Sequence, residues 1–385
     1  MSIPLLHRQL HKQLSQWLHP EDKRHLEVLA ENLAAILLSE SGCLSHWITF
    51  LKHRHCQARS HMARLSYFVN NPRITHQTFY HPLMRQFLGA WEGMEMLLTL
   101  DTSVFWNEYC LIEVCLVWGG RSFPLAQKVM EHPSATVAYH DYRELLETAQ
   151  KLLPPNCQVT LLADRGFAHG ELIRWLTRKS WHWAIRAKCD LKITRANGWS
   201  GKVADLIAPQ DQAYLFRKVT ILENIDCHFA TANLSVAGES WAVLSDIPAS
   251  LQLFALYGQR FGGNEPHFKD YKSAGFDLPD SRLRGAQALT NLLLLLAIAT
   301  LLSISAALQL IAAGERQSLD WHSQRGLSFF QLGLRALQSL CYLRQSIPPF
   351  VGLPRSRPLT ASASRTKRRC FDSRIEFSKV TTFDF

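Results

Sequence analysis

Apolar positions recur every three to four residues through HLEVLAENLAAILLS (25–39) and again through CLSHWITFLKHRHCQARSHMARLSYFV (43–69). That spacing lines them up on one helical stripe and predicts a helical region over residues 1–95. From about residue 96 the period shortens. MLLTLDTSVFW (96–106) and EYCLIEVCLVW (108–118) are apolar runs with β-branched and aromatic residues, and Gly119-Gly120 marks a turn before RSFPLAQKVM (121–130). ATVAYHDYRELLETAQKLL (135–153) returns to the helical period and stops at Pro154-Pro155. CQVTLLADRGF (157–167) then reads as a buried strand ending in an acid, and HGELIRWLTRK (169–179) as a helix. Three strands, a helix, a strand and a helix predict an α/β core with an antiparallel start and a parallel return.

HWAIRAKC, AYLFRKVTIL, DCHFATANLS and ESWAVLSDI make residues 182–248 β-rich, and the chain turns helical again from Leu251 through LSFFQLGLRALQSLCYL (327–343). Beyond Gly352 it is rich in Pro, Ser and Arg and includes SRTKRRC (364–370), the composition of a basic tail without fixed structure. Ala288–Ala313 is apolar over a length that can span a bilayer, ~20 residues. Thr290, Asn291, Thr300, Ser303, Ser305 and Gln309 interrupt it, so it is expected as a buried helix of a core and no membrane partner is expected.

Hydrophobic residues at 47% and charged residues at 19% fit a folded chain of several domains. The net charge of +10 favours polyanionic partners, because clustered Lys and Arg replace the counterions around phosphates. Nine cysteines include no CxxC pair, and the N-terminus carries no apolar stretch with a cleavage site, so a reducing cytoplasm is expected. His53, Arg54, His55, Arg59, His61 and Arg64 surround Cys56. Their spacing fits no standard zinc pattern and reads as a basic face for phosphates.

Two acids stand out. Asp101 interrupts the first apolar strand and Asp164 ends the fourth. A carboxylate among apolar neighbours is costly unless paired or bound to a metal. A third acid from a later helix would complete an oxygen-only site for Mg²⁺ or Mn²⁺. YGQRFGGNEPHFKDYKSAG (257–275) supplies Glu265 among Arg260, Lys269 and Lys272, while Asp270 reads as a solvated partner of the two lysines. Two metal ions ~3.5–4 Å apart, held by three carboxylates, suit in-line cleavage of a phosphodiester.

These residues resemble the DDE transposases of bacterial insertion sequences, in the insertion-sequence-four group marked by a Tyr-x2-Arg-x3-Glu-x6-Lys signature. Here the signature reads Tyr257, Arg260, Glu265 and Lys272, with one extra residue between Arg260 and Glu265 that Gly262 and Gly263 are expected to absorb. Strict counting from Tyr257 lands on Asn264 instead. LLTLDTSVFW and LLADRGFAHGEL resemble the strands of the first and second aspartates. The resemblance implies a ribonuclease-H-like catalytic core (96–181 and 249–315) interrupted by a β-rich insertion (182–248). A helical N-terminal DNA-binding domain (1–95) precedes it, and a helical C-terminal region with a basic tail (316–385) follows. It implies cut-and-paste transposition by a homodimer, associated with the nucleoid, acting on terminal inverted repeats and target DNA. Asp101, Asp164 and Glu265 would bind two Mg²⁺ or Mn²⁺ ions, and Arg165, Tyr257, Arg260 and Lys272 would contact DNA. Two other readings stay open: an inactive descendant that binds its DNA ends as a repressor, and a nuclease with the same core that does not transpose.

Overall fold

Two glycines set the first hairpin of the core. Gly119 and Gly120 adopt φ of 61° and 76°, the left-handed pair that a tight hairpin between right-twisted strands requires. They join β2 (Tyr109–Trp118) to β3 (Arg121–Glu131), and β2 pairs on its other side with β1 (Glu95–Phe105), all antiparallel. β4 (Gln158–Ala163) then lies parallel to β1, and β5 (His182–Arg186) parallel to β4. The computed structural model describes residues 3–52, 55–222, 224–233, 239–272, 275–322, 326–356 and 377–384.

The sheet does not stop at β5. β6 (Lys192–Arg195), β7 (Ser200–Lys202), β8 (Gln212–Ile221), β9 (Ile225–Asn233) and β10 (Ser240–Ser245) extend it, in the order β3-β2-β1-β4-β5-β10-β9-β8-β6-β7. β10 runs antiparallel to β5, so the β-rich span continues the core sheet, and its first strand, β5, pairs directly with β4. One strand was not foreseen. β11 (Lys379–Phe383) adds in parallel to β8 along Gln212–Phe216, with the Phe383 ring stacked 4.6 Å from that of Phe216. The segment SRTKRRC lies outside the described residues.

Eleven α-helices complete the described chain. The first six are α1 (Ile3–Leu14), α2 (Lys23–Ser39), α3 (Leu44–Trp47), α4 (Ala58–Val69), α5 (His76–Phe79) and α6 (His81–Phe87). The run expected as one helix over 43–69 is broken: α3 passes into a 3₁₀ turn at Ile48–Phe50, and regular structure resumes only at Ala58. Buried Leu44, Trp47 and Leu51 tuck the first part inward, so the stripe belongs to two short elements. His53 and Arg54 lie outside the described residues; His55, Cys56 and Arg59 are exposed, whereas His61 is buried. The proposed basic face is therefore smaller than its sequence.

α7 (Tyr139–Leu152) and α8 (Gly170–Arg178) make the crossovers into β4 and β5, followed by α9 (Leu251–Lys272), α10 (Ala286–Ala312) and α11 (Phe329–Tyr342). Period-two alternation sends Leu161 and Ile185 into the main core and Leu162 and Ala184 into a smaller one beneath α9. Both faces of the central strands are thereby covered, which is why they read as continuous apolar runs. α10 is long and apolar enough to cross a membrane, but 83% of that stretch is buried inside the fold. Its polar interruptions are satisfied there. Asn291 donates to the carbonyls of Val69 and Asn71, and Thr300 and Ser303 donate to carbonyls one turn back.

Candidate active site

Register places the two aspartates side by side. Leu100 of β1 pairs with Ala163 of β4, so Asp101 and Asp164 follow at the same level on adjacent parallel strands. They line one cleft of about 460 Å³ together with Thr102, Arg165, Gly166, Phe167, Lys188 and Asp190. This is the end of the sheet where β1, β4 and β5 finish, the usual position for ligands on an open α/β sheet. Arg165, Lys188 and Asp190 are exposed at its rim. Nothing in the local sequence singled out Lys188; only its place just past the end of β5 does.

Asp101 is held from three directions. Its Oδ1 accepts the Thr102 N–H at 2.9 Å, and its Oδ2 accepts from Arg260 Nη2 at 2.9 Å and Asn264 Nδ2 at 2.8 Å. Asn264 also uses its oxygen: Oδ1 accepts the hydroxyls of Thr99 at 2.8 Å and Ser122 at 2.6 Å. The carboxylate fixes the amide's orientation, since only the NH₂ group can face Asp101. Burial pulls the Arg260 guanidinium down, but the charges of Asp101 and Asp164 outweigh it and hold its pKa above the usual value.

The extra residue between Arg260 and Glu265 is not looped out at the glycines. α9 is helical throughout, Gly262, Gly263 and Pro266 included. Tyr257, Arg260 and Asn264 therefore share the inward face, and Glu265, a further ~100° around the helix, is exposed. Gly263 lets the helix come this close, because a Cβ there would lie 2.7 Å from Ser122 Oγ. Glu265 shares a flank with Lys272, whose ammonium lies 5.2 Å from the centre of the Phe105 ring. Phe105 ends β1, so this flank looks toward the same end of the sheet as the cleft.

The other sequence-derived candidates divide. Arg165 lines the cleft. Tyr257 and Arg260 are turned inward. Tyr257 is fully buried, edge-on to Trp241 and Phe261, and burial drives its phenol pKa up; Arg260 is tied to Asp101. Lys272 is half-buried, which lowers its pKa. Asp270 is not a solvated partner of Lys269 and Lys272. It is buried, with Arg121 Nε 2.6 Å from its Oδ2, because its side of α9 faces β3.

Two carboxylates level on neighbouring strands, with cations at the rim, offer the oxygen donors that suit a hard divalent cation. Residues 110–302, half of the chain, match the family model of the transposase DDE domain, and the chain belongs to that family. It is a DNA transposase by family, a protein of DNA transposition and recombination, and the family generally works with divalent metal ions. The match begins within β2, so it includes Asp164 and Glu265 but not Asp101. No curated protein matches the chain. One solved structure, a cryo-EM piggyBac transposase synaptic complex with hairpin DNA, is similar at 11% identity and a TM-score of 0.40, over 94% of this chain and 84% of that one. That likeness is too loose to carry residues across.

Proposed function

We propose that this chain performs cut-and-paste transposition of an insertion sequence of the insertion-sequence-four type, cleaving and joining phosphodiesters at the ends of its element. The observation that carries this reading is the level placement of Asp101 and Asp164 in one cleft with Arg165 and Lys188. Strands β3-β2-β1-β4-β5 with α7, α8 and α9 would form the ribonuclease-H-like core, and β6–β10 the insertion.

The residues present fit Mg²⁺ or Mn²⁺. The donors are oxygens, and Asp101 Oδ1 spends only one of its lone pairs, on Thr102. Asp101 and Asp164 would hold the metal, with Glu265 as third ligand from the exposed flank of α9. Such ions, when bound there, would supply activation of the attacking oxygen and stabilisation of the leaving one. Arg165, Lys188 and Lys272 would bind phosphates of the strand being cut. Arg260 would orient Asp101 from below, and Tyr257 would support α9. We assign the work to a homodimer on paired ends in the bacterial nucleoid.

Excision of a marked element bounded by the repeats flanking this gene tests the proposal. Wild type should excise, while Asp101→Asn, Asp164→Asn and Glu265→Gln should not, yet each should shift the element's ends in a gel. Excision that survives Glu265→Gln would remove Glu265 from the site.

The contact between Asn264 and Asp101 favours a second reading. An amide stands where α9 meets the first aspartate, as in a transposase descendant that has lost a ligand and acts as a repressor. End binding by the wild type without excision would select it.

A further inference from the structure

A second cluster of donor atoms lies under α9, one strand over from Asp101. Glu113 of β2 stands directly across the ladder from Asp101, and Cys115 lies two residues further along the same face. His267, one turn after Asn264, reaches them from α9: its Nε2 is 3.1 Å from Glu113 Oε2, and Cys115 Sγ is 3.9 Å from the same oxygen. The three donor atoms all lie within 4.8 Å of one another. All three residues are buried, at 1%, 3% and 2% exposure for Glu113, Cys115 and His267.

Hydrogen bonding leaves this cluster incomplete. Glu113 Oε1 is buried without a partner, and so is the Tyr271 hydroxyl, whose ring packs 4.4 Å from that of His267. A buried carboxylate with one idle oxygen is a costly arrangement unless a cation offsets it. Nitrogen, sulfur and oxygen donors together select zinc over Mg²⁺ or Mn²⁺. Tetrahedral zinc with bonds of ~2.0–2.3 Å sets its ligands about 3.3–3.6 Å apart, so small side-chain rotations suffice.

We propose that Glu113, Cys115 and His267 form a buried zinc site that fastens α9 to β2, separate from the oxygen-only site of the cleft. On binding, the Cys115 thiol gives up its proton to solvent and the thiolate, the Glu113 carboxylate and His267 Nε2 take the metal. The clamp holds the helix that carries Arg260, Asn264 and Glu265 at a fixed height over β1.

The test uses the full chain purified without chelators. One zinc per chain is expected by elemental mass spectrometry, and X-ray absorption at the zinc edge should show one sulfur among nitrogen and oxygen ligands. Replacement by Co²⁺ should give a thiolate-to-cobalt charge-transfer band that Cys115→Ser abolishes and that Cys189→Ser, at an exposed cysteine, leaves intact. The absorption measurement needs no variant, so it stands even if Cys115→Ser fails to fold. A protein free of zinc that takes up neither Zn²⁺ nor Co²⁺ in titration would overturn the proposal. So would a sulfur-free shell, or a cobalt band that survives Cys115→Ser. None of these readouts depends on transposition.

Discussion

Asn264 and Asp101 are joined across 163 positions of sequence by a single amide hydrogen bond of 2.8 Å, and through it α9 is pinned to the strand that carries the first acid. The same amide gathers hydroxyls from β1 and β3, so one side chain ties three elements together.

Removing that tie should be expensive. In Asn264→Ala the hydroxyls of Thr99 and Ser122, both almost fully buried, lose their acceptor. A loss of about 2–3 kcal/mol is expected in urea unfolding, as for two stranded buried donors. A loss under about 0.5 kcal/mol would show that the hydroxyls find other partners.

Restoring a carboxylate at the same place should strengthen metal binding. Asn264→Asp puts a second charge beside Asp101, and affinity for Mn²⁺ is expected to rise by about tenfold with the added ligand charge. Thermal stability followed against Mn²⁺ concentration reads this directly. An unchanged titration would place the inward face of α9 outside the reach of the ion.

Gly263→Ala tests how closely α9 sits on the sheet. The new Cβ would lie 2.7 Å from Ser122 Oγ and 3.0 Å from both Val117 methyls. Overpacking of this kind costs about 1–3 kcal/mol. Gly262→Ala, with open space at the Cβ, should be neutral or slightly stabilising in the same melts.

Acid should loosen the helical N-terminal region. Burial lowers the pKa of His76 and brings that of His81 to about 4, from the usual 6.5. The Gln127 amide donates to His76 Nε2 at 2.7 Å, which requires that nitrogen to be unprotonated. Both folded values lie below the unfolded one, so the unfolded chain binds more protons. Stability from these residues is complete above pH ~6.5 and is lost as pH falls towards 4. His81→Gln should flatten the fall in melting temperature between those limits relative to wild type.

The Arg121–Asp270 pair separates the buried partner of Asp270 from the expected lysines. Asp270→Asn leaves a mostly buried guanidinium without its counter-charge and should cost about 3 kcal/mol. Lys269→Ala, on the exposed side, should leave the unfolding midpoint unchanged.

The sequence exposed the strands, the two crossovers and both aspartates, because each rests on local periodicity or on an acid out of place in an apolar run. α10 was legible as a buried helix for the same reason: its polar residues are too frequent for lipid. The proposed third ligand was harder. Counting forward from Tyr257 reaches Asn264 and counting back from Lys272 reaches Glu265, and only the unbroken course of α9 decides which one faces Asp101. Asp270 was misread because adjacent lysines in sequence point to other sides of a helix. The Glu113–His267 contact spans 154 positions, and β11 depends on an edge of β8 that no local pattern announces.

The unbroken ladder from β3 to β7 has a mechanical consequence. Arg186, Ile185 and Ala184 of β5 are laced to Val243, Leu244 and Ser245 of β10, so the far strands are cantilevered from the plate that bears Asp164. They cannot swing like a jaw on a loose joint, and a load on β8 or β9 is transmitted as torsion through β10 and β5 to the floor of the cleft.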